Sequence, residues 1–337
     1  MRPSRDRVTI GDVAEQAGVS IATVSRVVNG RYGVAPGTFT RVQAVIADLG
    51  YESSLVARSL RSRRTNVIGI IVADIEPFSA ELLKGAARAI RGTGYELIVY
   101  SGGGHAGDQV GWERRYLSRL NGTLTDGTIL VTPTVVEVSS GAPVVAVDPH
   151  AGSSTLPTVD SQNLEGAVAA TEYLISLGHR RIGFLSGRPD LESARLRELG
   201  YREALDRAGI SFDPDLVRVG GYRPESAEAP ARELLQLGPP PTAIFAANDV
   251  SAIQTMEVAR SLGVTIPGDL SVIGFDNIPE SALANPPLTT IDQSIQEMGF
   301  EAAKLLVGLI DEPGDGPIHL TLPTELVIRQ SCRAPSS

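Results

Sequence analysis

From residue 66 onward, short apolar runs alternate with helical stretches in two successive series, and no other feature limits the fold as strongly. VIGIIVA (67–73) is a continuous apolar run, as expected of a strand covered on both faces. A helical stretch, PFSAELLKGAARAIRGTG, follows it. The first series continues with strand ELIVY (96–100), a helical region around 112–120, and strands GTILV (127–131) and PVVAV (143–147). The second series starts near residue 160. It alternates helix 163–177, strand RIGFL (181–185), a helix near 192–208, strand LVRVG (216–220), a helix ending near 237, strand TAIFAA (242–247), helix 249–262 and strand LSVIGF (270–275). Strand–helix alternation of this kind implies parallel sheets, here in two lobes. The last helix, 294–309, and strands around 318–329 return to the lobes, so more than one segment crosses between them.

In folds of this type ligands bind at the carboxyl ends of the strands, and a cleft between lobes is a natural pocket. The strand-end loops carry Asp74, Asp148, Asn248–Asp249 and Asp276–Asn277. Carboxylates and amides together suit a hydroxyl-rich ligand, because they accept and donate in fixed planes. A single strand-end Asp can equally be a helix cap; four such loops favour a site. Arg197, in SARLRELGY, can offer a fork to a ligand or form a surface ion pair with Glu198 or Glu203. Phe78, Tyr222 and Phe275 can supply flat apolar faces or pack in the core.

Ahead of this core, residues 9–30 (TIGDVAEQAGVSIATVSRVVNG) read as two short helices joined by a tight turn. Thr9 and Asp12 have the spacing of a capping box. Gly18 ends the first helix and Gly30 the second. Val13, Ala14 and Ala17 face Val24, Val27 and Val28. The opposite face of the second helix carries Ile21, Ala22, Ser25, Arg26 and Asn29, as in a helix-turn-helix whose second helix enters a major groove. A third helix, near 38–49, packs beneath through Val42, Val45, Ile46 and Leu49. Residues 51–65 (YESSLVARSLRSRRT) form a basic linker with a short helix carrying Val56, Ala57 and Leu60. An exposed Leu60 between arginines suits wedging between base pairs in the minor groove.

Charge separates the two parts. Residues 1–64 hold ten Arg, no Lys and five acids, a net of +5; the remainder holds 20 basic and 34 acidic residues, a net of −14. A basic head on an acidic body directs only the head to a polyanion. The single cysteine, Cys332, excludes an internal disulfide, and no run approaches the roughly 18 apolar residues of a membrane span. With no apolar signal core at the N-terminus, a cytoplasmic protein is expected. The four histidines (105, 150, 179, 319) lack metal-ligand spacing. The G-x-G-x-x-G at Gly102, Gly104 and Gly107 follows the second strand of its lobe rather than the first, without a clear helix after it, and is a weak nucleotide signal. No enzymatic activity, cofactor or metal is expected.

Taken together, GDVAEQAGVSIATVSRVVNG, LVARSL, IGIIVADIEPFSAELLKG, LGHRRIGFLSG, SARLRELGY, AANDVSA, VIGFDN and PPLTTIDQS resemble the lactose-repressor/galactose-repressor (LacI/GalR) family of bacterial transcription regulators, over nearly the whole chain. The resemblance implies an all-α helix-turn-helix head (1–50), a hinge (51–65) and an α/β periplasmic-binding-protein-like core of two parallel-sheet lobes (66–332). The first lobe would span about 66–160 plus 292–322 and the second about 161–291 plus 323–332. It implies a homodimer on a palindromic operator, with operator affinity set by a small effector, a sugar first and a purine or nucleoside second. By the same resemblance Ser20, Ile21, Ala22, Ser25, Arg26 and Asn29 would meet the major groove, Thr9 and Thr38 phosphates, and Ala57 and Leu60 the minor groove. The effector would meet Arg197, Asn248, Asp276 and Gln293, with Asp74, Phe78, Ser79, Asp148 and Tyr222 around them. Ile21 and Ala22 cannot donate from their side chains to base edges, which leaves Arg26 as the main hydrogen-bonding reader.

Overall fold

The computed structural model describes residues 8–28, 33–51, 64–103, 110–135, 138, 141–150, 155–312, 316 and 318–335. The chain divides into two compact units, Met1–Thr65 and Asn66–Ser337.

In the first unit, helices α1 (Ile10–Ala17), α2 (Ile21–Val28) and α3 (Pro36–Leu49) enclose Val13, Ala14, Ala17, Val24, Val27 and Val42. The capping box forms: the Asp12 carboxylate accepts from the Thr9 backbone N–H at 2.6 Å, and Asp12 N donates to Thr9 Oγ1. These bonds, the backbone one foremost, hold the Asp12 carboxyl below its ordinary range. Gly18 and Gly50 terminate α1 and α3 at φ of 63° and 61°, where a side chain would be strained. Thr23 N donates to Ser20 Oγ at the start of α2. The third helix starts earlier than its apolar spacing suggests, because Pro36 occupies its first turn without needing an N–H partner.

In the second unit, six parallel strands form one sheet in the order β11-β5-β4-β3-β1-β2: β1 (Val67–Val72), β2 (Glu96–Ser101), β3 (Gly127–Val131), β4 (Val144–Val147), β5 (Thr158–Ser161) and β11 (His319–Leu322). Helices α4 (Pro77–Ala89) and α11 (Ile295–Asp311) cover one face, and α5 (Glu113–Leu120) the other. Strands β7 (Val217–Val219), β6 (Ile182–Ser186), β8 (Ala243–Ala246) and β9 (Ser271–Ile273) form a second parallel sheet in that order. It is flanked by α6 (Asn163–Ser176), α7 (Glu192–Arg207), α8 (Pro224–Leu235) and α9 (Asp249–Ser261). A short helix α10 (Pro279–Leu283) precedes β10 (Thr290–Asp292), which pairs antiparallel with β12 (Glu325–Val327). The chain passes between the lobes three times, near residues 162, 293 and 323.

Two close approaches fix the first lobe. A Cβ on Gly85 would lie 1.7 Å from the Gln296 carbonyl oxygen, and one on Gly299 would lie 2.1 Å from that of Leu82. Helices α4 and α11 therefore touch backbone to backbone where they cross. The apolar runs become central strands with every residue of β1, β3, β4, β6 and β8 buried. Strands β5 and β10, and helix α10, have no matching sequence expectation. They are three to five residues long, and their polar residues are buried only through neighbours distant in sequence.

Candidate functional site

A cleft open to solvent lies between the lobes, with about 770 Å³ of empty space when its open mouth is counted. All nine residues expected at an effector site line it: Asp74, Phe78, Ser79, Asp148, Arg197, Tyr222, Asn248, Asp276 and Gln293. They converge because each follows the carboxyl end of a strand or opens the helix after one, except Arg197, which reaches in from the second turn of α7.

Arg197 organises the floor. It is 3% exposed, so the surface ion pair is excluded; Glu198 and Glu203 pair instead with Arg202 and Arg207. Its Nε donates to Asn163 Oδ1 at 2.8 Å, Nη1 to the Ala247 carbonyl at 2.6 Å and to Asp276 Oδ1 at 3.5 Å, and Nη2 to Gln293 Oε1 at 3.3 Å. The guanidinium lies 3.8 Å from the centre of the Phe275 ring, a cation–π contact strengthened by burial. Phe275 is thus a fully buried platform under Arg197 and not a cavity wall. Gln293 donates to Asp276 Oδ1 at 2.5 Å and accepts from Ser161 Oγ. Asn163 and Gln293 both sit where the chain crosses between lobes, so one guanidinium fastens two crossings.

Burial pushes the Asp276 carboxyl well above its ordinary value; Arg197 opposes that rise, while Asp249, Glu76 and Asp148 reinforce it. Asp148 is raised for the same first reason, again against Arg197, and Ser193 donates to it at 3.2 Å. Asn248 combines two roles: its Oδ1 caps α9 through Ser251 N, and its Nδ2 reaches the Tyr222 carbonyl at 3.3 Å. Asp249, beside it, is fully buried beneath the cavity. Thr290 Oγ1 and Ile278 N donate to it, and burial raises it to about 7. Asn277 likewise turns away, toward Asp292 and Arg329. These two loop residues, expected as grips, lie outside the lining because the loop is anchored from below.

Thr132, Asp148, Tyr222 and Asp276 all line the cavity at positive φ, 46°, 48°, 69° and 117°. Non-glycine residues held there carry strain, which concentrates at binding sites. The Tyr222 hydroxyl is buried near Ser193 without a well-formed hydrogen bond, and burial raises it to about 12. Gly187 makes room for that ring, since a Cβ there would lie 2.1 Å from Tyr222 Cζ. The lining also includes Glu76, Thr132, Arg188, Ser193 and Arg223, which the sequence pattern alone does not single out. Thr132, Arg188 and Arg223 follow β3, β6 and β7, and applying the strand-end rule to every strand finds them.

In the head, Ile21 (52% exposed), Ala22 and Arg26 lie open on α2, with Ser25 half-buried beside them. Thr9 and Ser20 are exposed at helix starts, and Thr38 is half-buried in the first turn of α3. Asn29, Ala57 and Leu60 lie outside the described residues.

Residues 9–54 match the family described as bacterial regulatory proteins, lacI family, and residues 171–332 match the periplasmic binding protein-like domain. The chain is 35% identical to the HTH-type transcriptional regulator CelR of Thermobifida fusca, over 97% of this chain and 99% of that one. Among solved structures it resembles a transcriptional regulator CelR–cellobiose complex (33% identity, TM-score 0.72, 96% and 100% of the two chains covered). It also resembles a lac repressor dimer bound to operator and the anti-inducer ONPF (27% identity, TM-score 0.82, 98% and 100% covered). A helix-turn-helix head, a two-lobed α/β core and this full-length similarity lead to one assignment: the chain belongs to the LacI family and is a DNA-binding transcriptional regulator, not an enzyme.

Proposed function

We propose that this regulator is a homodimeric repressor acting in the cytoplasm on a palindromic operator, and that a sugar in the interlobe cavity sets its operator affinity. Residues 1–50 serve as the DNA-binding domain, 51–65 as the hinge and 66–332 as the effector-binding and dimerisation core. Ser20, Ile21, Ala22, Ser25, Arg26 and Asn29 face the major groove, Thr9 and Thr38 meet phosphates, and Ala57 and Leu60 enter the minor groove.

The observation that carries the effector reading is the fixed arrangement of Asp148, Asp276, Asn248 and Arg197 around one cavity whose wall includes Phe78 and Tyr222. Hydroxyl groups pair with such acceptors and donors while a sugar's C–H face lies on the rings. The CelR–cellobiose complex adds a relative with a sugar bound. Arg197 supplies the route outward. A ligand that draws on Arg197 or Asp276 competes with the bonds to Asn163 and Gln293, which lie at two interlobe crossings. The ligand's preference for one lobe angle then shifts the population presented to DNA.

Calorimetric titration with cellobiose, ribose and a set of monosaccharides, beside nucleosides, tests the reading. Saturable sugar binding that changes operator retention supports it. Binding of a nucleoside with no response to any sugar refutes the sugar assignment.

A further inference from the structure

The core holds 34 acidic residues against 20 basic ones. Most of its Arg and Lys side chains are engaged, as Arg88 is on Glu297, Arg218 on Glu233, Arg260 on Glu257 and Lys304 on Glu301. Arg91, Arg114, Arg115 and Arg119 differ. All four are exposed, and among the described residues their side chains have neither an ion pair nor a hydrogen bond. With so many carboxylates available, four such arginines within one stretch of 29 residues stand out, one in the turn after α4 and three on α5.

Their place in the sheet is specific. Strand β2 starts at Glu96, in register with Val67, and Glu96 N donates to the Asn66 carbonyl. The turn carrying Arg91 therefore sits at the amino end of the sheet. Helix α5 runs into a tight turn at 121–125, and the next residue, Asp126, accepts from Asn66 N at 2.9 Å. Arg119, in the last turn of α5, lies at the same end. Arg115 stands one turn above it and Arg114 beside that, a span of about 7.5 Å along the axis. Asn66 is where the chain arrives from residues 51–65, which carry Arg58, Arg61, Arg63 and Arg64.

We propose that Arg91, Arg114, Arg115 and Arg119 form a phosphate-contacting strip by which the core itself binds the DNA duplex. This rests on the DNA-binding assignment and goes beyond it, because it gives a net-acidic effector core a direct electrostatic share in DNA affinity. The chemistry fits a sequence-independent backbone contact: guanidinium forks match phosphate geometry, and phosphate contacts carry no base-edge information. The strip continues the arginine-only chemistry of the linker into the core, and DNA is the polyanion this chain binds. Local positive charge also offsets the repulsion between phosphates and a body of net charge −14.

The test uses the full-length protein and an operator duplex selected from a random pool, with affinity measured across a salt series. R91Q/R114Q/R115Q/R119Q should bind more weakly at low salt, by tenfold or more. Its slope of log affinity against log salt should be shallower by about 0.9 for each phosphate that the strip no longer neutralises. The quadruple Arg→Lys protein should restore the slope, which separates charge from folding. Equal slopes for wild type and the Gln variant overturn the proposal and leave the strip to an acidic protein. A Gln variant that has become monomeric by sedimentation overturns it in favour of a face for a second copy. If wild type itself selects no duplex, the DNA-binding assignment fails instead.

Discussion

Replacing Arg197 by Ala separates a binding role from a purely structural one. The substitution deletes four hydrogen bonds, to Asn163, Ala247, Asp276 and Gln293, and uncovers Phe275. Removing one partner of a buried ion pair costs about 3–5 kcal/mol, because the other charge is left without compensation. The lower figure applies here, since the Asp276 contact is long at 3.5 Å. About 3 kcal/mol corresponds to a fall in Tm of about 5 °C for a unit of this size. The loss should depend on pH. The folded Asp276 carboxyl is raised above its unfolded value, so its contribution is most favourable at low pH and is lost as pH rises through the folded value. Without Arg197 that value climbs further, and the penalty is larger at pH 8 than at pH 5. Thermal unfolding of both proteins at the two pH values measures this, with effector titration and operator retention alongside. The expected outcome is a larger Tm deficit at pH 8, no effector response, and operator binding retained below the melting range. An equal deficit at both pH values, or a surviving effector response, would refute the reasoning.

Four further substitutions test other links. Gly187→Ala places a Cβ 2.1 Å from Tyr222 Cζ; the ring must move into the cavity, and effector affinity should fall at least tenfold by calorimetry while effector-free operator binding persists. Gly85→Ala sets a Cβ 1.7 Å from the Gln296 carbonyl, forcing α4 and α11 apart at a cost of about 3 kcal/mol, read as a lower Tm. Thr9→Ala removes the capping box, worth about 1 kcal/mol, and amide exchange within residues 10–17 should quicken about fivefold. Arg26→Ala should lower operator affinity by about 1–3 kcal/mol with little change on random DNA, as measured by gel retention; equal weakening on both would show a phosphate contact instead of base reading.

Much of this molecule is local and therefore legible in the sequence. The capping box at Thr9 and Asp12, the glycine stops at Gly18 and Gly50, and the valines at helical spacing act within a few residues of one another. Central strands such as VIGIIV and GTILV are recognisable because burial on both faces favours a nearly continuous apolar run, with Thr128 the one polar residue in the two. Asp74, Asp148, Asn248 and Asp276 can be named because a parallel sheet fixes which end of each strand faces the cleft; Gln293 and Ser79 come from the family resemblance. Strands β5, β10, β11 and β12 are harder to define. Thr158, Thr290 and their neighbours are strands only because partners distant in sequence accept them, Thr158 between Ala146 and His319 and Thr290 beside Val327.

The sequence alone determined a basic helix-turn-helix head, an acidic two-lobed core and the loops that meet between the lobes, since periodicity, capping and net charge are properties of neighbouring residues. Tertiary structure alone decided what those loops do when they meet. It buried Arg197 on Phe275 between two crossings, turned Asp249 and Asn277 away from the cavity, and held Asp148, Tyr222 and Asp276 in backbone conformations their own sequence disfavours. Among the described residues it also left Arg91, Arg114, Arg115 and Arg119 without ion-pair partners in a body rich in carboxylates. Each of these depends on which distant groups share a small volume, and desolvation and charge compensation are set by that shared volume.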